Sequence, residues 1–226
     1  LSDAQKQEIL SMSKEKAVVS IIPEFLDPIF IDLRVGGMVV FDAEQTYRTE
    51  EEIKQLIEDY TLSYPLDVFN ATFKFSDYIN GIESLDEGIV PSTIKLYLSR
   101  SFSASESNKV NSLTIPFLNP LRDPEGTESS TLQSLNPFMV ERGDDQYLAT
   151  MSDDGFGKVR LYDVSTQSLI GIVGSVDYTT GNVQINNLGA ISDFVIEVDP
   201  EYNVIKSKNN LVLSMKESDI EINRVN

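Results

Sequence analysis

The sequence predicts an α+β chain: a small helix-covered antiparallel sheet followed by a β-rich hairpin domain. Three observations predict it. Residues 28–42, PIFIDLRVGGMVVFD, alternate as one long strand. Two short helical periodicities and a second long strand follow before residue 100. After residue 108 helical periodicity almost vanishes, and short apolar runs recur between turn residues. The expected divisions are a helical lead-in with a first strand over 1–22, an α+β domain (strand, helix, helix, strand) over 23–103, and a β-rich domain over 104–226. Later strands that returned to the first sheet would blur the boundary near residue 104.

Residues 3–16, DAQKQEILSMSKEK, are polar around Ile9, Leu10 and Met12. Ser2 is placed to cap a short amphipathic helix, and Asp3 would sit in its first turn, where the helix dipole favours an acid. That helix either packs on its own domain or links it to an upstream portion. Residues 17–22, AVVSII, read as the first strand, and Pro23 and Pro28 punctuate the connection onward. In the long strand Ile29, Ile31, Leu33, Val35, Val39 and Phe41 share one face. Phe30, Asp32, Arg34, Met38 and Val40 take the other.

Thr49-Glu50-Glu51-Glu52 fits a capping box, with Ile53, Leu56, Ile57 and Tyr60 on one helical face after it. Pro65 ends that helix. The three acids are therefore a helix start and not a metal site. An apolar lead-in, Leu66 to Phe75, precedes a second short helix capped by Ser76, with Ile79, Ile82 and Leu85 inward and Gly88 as its stop. Residues 89–100 form a strand with Val90, Ile94, Leu96 and Leu98 on one face and Tyr97 on the other. Asn119 to Ser134 reads as a long loop. Strands are expected over 138–141, 147–151, 158–163, 168–173, 177–178, 182–186, 194–198, 210–215 and 220–222. Asp153-Asp154-Gly155, Thr180-Gly181-Asn182 and Asp199-Pro200 supply the turn chemistry between them.

Composition narrows function. Among 226 residues, 18 are basic and 36 acidic, a formal charge of −18. Such a surface repels phosphate backbones and anionic headgroups, so nucleic-acid and membrane partners are not expected. Nothing resembles a membrane span or a signal peptide, and because the chain opens at Leu1 it is expected to be a piece of a longer protein. The absence of Cys and His removes thiolate catalysis, the usual zinc ligands and the commonest general base. No catalytic residue, metal site or cofactor is expected.

The residual chemical candidates read as structure. Asp153-Asp154-Gly155-Phe156-Gly157 lacks the oxygen spacing of a calcium loop and the glycine spacing of a phosphate cradle, and is a hairpin turn. Asp144/Asp145 and Glu197/Asp199 are close acids, as a glycosidase needs, but such pairs arise by chance among 36 acids, and no Trp is present to stack a sugar. Asn70-Ala71-Thr72 matches a glycosylation acceptor only formally. Bulky side chains on wet sheet faces carry more information. Phe30 and Met38 on the first long strand and Tyr97 on its partner are the expected interface residues, unless another segment of the chain covers them.

The succession IIPEFLDPIFIDLRVGGMVVFD, the helix EEIKQLIEDY, the segment NATFKFSDYINGIESLDEGI and the strand STIKLYLSR resemble the C-terminal part of the baseplate-J-like family, as found in the baseplate wedges of T4-like contractile-tailed phages. Residues 17–100 carry that resemblance, and DDGFGKVRLYD with the hairpin GSVDYTTGNVQI is similar to the β-rich end of the same proteins. The resemblance implies a structural subunit that pairs with copies of itself, as a dimer within a ring, and with other baseplate wedge proteins. It implies assembly in the host cytoplasm, residence in the virion tail and a part in triggering sheath contraction. It carries over no individual residue. The alternatives are a β-rich receptor-binding or adhesin module of a tail and, more remotely, a hydrolase using two facing acids.

Overall fold

The computed structural model describes residues 3–16, 27–66, 68–125, 130–208, 210–216 and 219–225. The strand expected over 17–22, the Ser2 cap and Pro23 lie outside them. The α+β expectation is corrected. Strands take up 49% and helices 15%, so the chain is β-rich and mostly antiparallel. The physical reason is that the later strands do not build a sheet of their own. They extend the first one into a sheet of twelve strands, to which the helices are local additions.

The sheet starts from β1 (Ile29–Asp42), whose odd positions Ile31, Leu33, Val35, Val39 and Phe41 are all essentially sealed from solvent. β3 (Ile89–Phe102) pairs antiparallel with it. A register shift between Met38 and Val40 alters the expected alternation: Ile89 pairs with Phe41 on the buried face, and Val90 pairs with Val40 on the other. On the far side of β1 lie two strands from the end of the chain. β13 (Leu211–Met215) and β14 (Asp219–Val225) each run parallel to β1, one after the other. β11 (Phe194–Val198) pairs with β3 from the opposite side.

Helix α1 (Asp3–Lys16) is tied down by an ion pair from Lys6 to Asp27 at 2.7 Å, and leaves Ile9 and Met12 exposed. α2 (Glu50–Leu62) opens with the expected capping box, Thr49 and Glu52 bonding each other's amides. It buries Ile53, Ile57 and Thr61, packing near β14. α3 (Phe75–Glu83) starts one residue before the expected Ser76 cap, with no side chain capping it, and buries Tyr78 and Ile82. Between these helices β2 (Thr72–Lys74) pairs with β12 (Val204–Lys206) as a separate ribbon.

The rest of the sheet passes through β5 (Leu132–Ser134), β7 (Asp145–Asp153), β8 (Lys158–Asp163), β9 (Leu169–Asp177), β10 (Asn182–Ile185) and β4 (Leu113–Pro116), with β6 (Phe138–Arg142) following β5 along the same side of β7. This part closes on itself. Val110, just before β4, exchanges amide bonds with Ala190, while Glu141 and Ile191 bond across to Gly189 and Met139. The segment 188–191 thus joins β4 to β6 and completes a small barrel. Val140, Ala149, Val159, Leu161, Val183, Ile185 and Ala190 are completely buried, and Phe117 packs with them in the one hydrophobic core shared with the first sheet.

Candidate protein interface

Paired residues in a sheet project to the same side, so the register reads out the composition of the wet face directly. One row crosses six strands: Ser214, Asp32, Ser99, Glu197, Gln133 and Ser152. It is entirely polar. Beside it Arg34 pairs with Tyr97, then Asp219 and Lys95 flank Gly36, and Glu221 and Thr93 flank Met38. On the other side of the polar row, Phe69 bridges to Val212, which pairs with Phe30. That third strip is apolar. Phe30 and Phe69 are 57% and 56% exposed on either side of buried Val212, and Val68 next to them is 60% exposed.

A groove of about 670 Å³ lies over the centre of this face, lined by Arg34, Met38, Tyr97, Glu197, Asp219 and Glu221 among others. Its floor is the Gly36-Gly37 pair. Gly37 has φ +132°, and a Cβ there would sit 2.2 Å from the Thr93 carbonyl oxygen, so glycine is required. A Cβ on Gly36 would meet the Tyr97 ring and the Asp219 carbonyl at ordinary contact distance, 3.5 Å, so the bare position keeps the floor open.

Two arginine–carboxylate pairs stand on this face, the first of them largely buried. Arg34 donates from Nη1 to Glu197 Oε2 at 2.5 Å, and Gln133 Nε2 donates to Oε1 at 3.3 Å. Glu197 is only 4% exposed, so the arginine offsets a large desolvation cost. Arg122 donates from Nε and Nη2 to Asp199 Oδ2 at 3.1 and 2.7 Å. The Tyr97 phenol is pushed above its ordinary value by burial first and then by the carboxylates of Asp199 and Glu197, with Arg122 and Arg34 opposing. Tyr97 thus stays a neutral hydroxyl in the wall.

Of the three residues expected at an interface, the structure brings Met38 and Tyr97 together in the groove and places Phe30 on the apolar strip. No described element covers Phe30. Phe69, Asp219 and Glu221 were not anticipated there. The strict alternation Asp219-Ile220-Glu221-Ile222-Asn223 was the available signal for the last two.

Of the close acids, Glu197 and Asp199 each hold their own arginine. Asp153 is 5% exposed. Its Oδ1 accepts from the Ser130 hydroxyl and the Thr131 and Leu132 amides at 2.7 Å, while Oδ2 accepts from the Tyr178 hydroxyl at 2.5 Å and the Gly155 amide at 3.2 Å. Asp154 accepts from the Phe156 and Lys158 amides and from Arg160. Both acids of the Asp-Asp-Gly turn are therefore spent on the fold. Among the described residues no group of three or more acids is placed to hold a metal ion, and no helix is long and apolar enough to cross a membrane. Compared with protein-family models and with curated proteins, the sequence matches none.

Proposed function

We propose that this chain is a structural subunit of a phage-tail baseplate wedge. It acts by self-association and by contacts with other wedge proteins during tail assembly and the contraction trigger. The observation that carries the reading is the wet face of the sheet: a broad surface mixing an exposed aromatic strip, a charged groove and a polar row buried at its centre, at Ser99 and Glu197. Such a mixture suits protein contact, where apolar anchors sit within a polar surround. The resemblance of residues 17–100 to the baseplate-J-like family supports the same reading. The formal charge of −18 calls for partner faces that are basic where they meet the groove's Asp219 and Glu221.

The test is reconstitution with purified wedge proteins of a contractile-tailed phage, followed by mass measurement and electron microscopy. Discrete wedges or rings containing the chain are expected, and Phe30→Asp, Met38→Asp or Tyr97→Ala should each weaken incorporation. A chain that neither joins such particles nor shifts in mass on mixing would overturn the reading. Glycan-dependent binding without co-assembly would instead favour a receptor-binding module of a tail.

A further inference from the structure

Among the described residues, nothing pairs with one side of the β14 backbone. Val225 accepts a bond from the Ala43 amide, so its carbonyl points toward β1, its register partner there being Asp42. Backbone groups alternate direction along a strand, so Asp219, Glu221 and Asn223 also point toward β1. Ile220, Ile222 and Arg224 therefore point their N–H and C=O groups away, and no hydrogen bond to those outward groups is formed by any described residue. Farther along the same edge, β13 is bridged by Phe69 at Val212. β14 is not bridged. It carries no proline and no bulge, and of the devices that blunt an edge it has only charge, at Asp219, Glu221 and Arg224.

We infer that β14 is the seam at which two copies of this chain join, strand against antiparallel strand, about a two-fold axis through Ile222. The outward groups select that register. They lie at Ile222 and symmetrically on either side of it, so the axis pairs Ile222 with Ile222 of the partner subunit and Ile220 with Arg224 of the partner subunit. Every outward donor then meets an outward acceptor. The side chains agree: Asp219 faces Val225 of the partner subunit and Glu221 faces Asn223 of the partner subunit, so no like charges stand directly opposite. The two sheets become one continuous sheet, with α2 of each copy on the same side. Because each copy carries −18, the dimer tightens as salt is added, the reverse of a contact made by charge attraction. The inference specifies the self-association in the reading above and does not depend on the wedge assignment.

The absence of cysteine makes a clean test available. In a hydrogen-bonded antiparallel pair facing Cα atoms lie about 5.5 Å apart, within the reach of a disulfide. Ile222→Cys in the otherwise full chain should oxidise to a species of twice 25.3 kDa, whereas Asp145→Cys, on a distant exposed strand end, should not. Arg224→Pro removes one outward donor at an exposed position, and sedimentation should show self-affinity reduced roughly tenfold or more. Circular dichroism checks that this variant stays folded. Efficient cross-linking through Ile222→Cys with a weakened Arg224→Pro supports the seam. A dimer that ignores Arg224→Pro and fails to cross-link at position 222 overturns it and leaves self-association standing elsewhere. A strict monomer that still enters wedge particles overturns the seam and the self-association in the reading above but leaves the contacts with other wedge proteins standing, and a seam dimer excluded from such particles supports the seam and overturns the wedge assignment.

Discussion

Replacing Asp153 by Ala tests whether one carboxylate stitches the loop after Pro120 to the barrel. Three of its donors are main-chain amides, and the two closest, those of Thr131 and Leu132, belong to residues that are 3% and 0% exposed. Leaving a buried N–H without an acceptor costs about 1–3 kcal/mol, so the pair alone sets a range of about 2–6 kcal/mol. The Tyr178 hydroxyl loses its acceptor as well, while removal of the buried charge and entry of water work in the opposite direction. The expected loss is about 4 kcal/mol. Asp153→Asn keeps an oxygen for the two amides but turns an NH₂ toward the Gly155 amide and Tyr178, so about half that loss is expected. Equilibrium unfolding in urea measures both, followed by circular dichroism and by tyrosine fluorescence, since no Trp is present. An Asp153→Ala protein within about 1 kcal/mol of its parent would refute the reasoning, because the donors would then have found other acceptors.

Arg34→Ala should destabilise by about 3 kcal/mol by stranding buried Glu197, and Arg34→Ala combined with Glu197→Gln should recover part of the loss. A double-mutant cycle reads this, and a coupling below about 0.5 kcal/mol would contradict it. Alkaline pH gives an independent check. Tyr78 is sealed from solvent, and burial first, then Tyr60 and Tyr64, push its phenol up to about 12 from 10.0, against the Thr61 bond that pulls it down. The folded state therefore keeps a proton that the unfolded chain releases. Stability should hold below about pH 10 and fall toward pH 12 by up to about 1.4 kcal/mol per unit. Tyr178, raised by burial and by its bond to Asp153, acts in the same direction. Urea unfolding across this range, with tyrosinate absorbance, should show the decline, and a flat profile would contradict it.

Local signals were read well and distant pairings were not. The alternation of residues 29–41 announced a one-sided strand, and Thr49 with Glu52 announced a helix start that the structure reproduces bond for bond. Lys158–Asp163 and Phe194–Val198 were legible to the residue because Gly, Asp and Pro bound them. The loop expected over 119–134 is shorter in the structure. Leu132–Ser134 is a strand there, held by Asp153 and by β11, and a three-residue strand has too little pattern to declare itself. The fold class failed for a related reason. Helical and strand periods identify elements, but nothing local says that the last strands lie parallel to the first. The interface shared this limit. Met38 and Tyr97 stood out as bulky residues on a wet face, whereas Arg34 with Glu197, and Phe69 beside Val212, meet only after the chain has closed over long distances.

The placement of β13 and β14 against β1 also fixes an order of events at the ribosome. The first long strand emerges with Ile31, Leu33 and Val35 bare, yet its neighbours on one flank, β13 and β14, are synthesised only after all the strands between have followed it. Until β13 and β14 emerge, that flank is a raw template open to any extended peptide nearby. Closure of that flank should therefore be slow, and chains truncated before residue 211 should be captured by chaperones or precipitate.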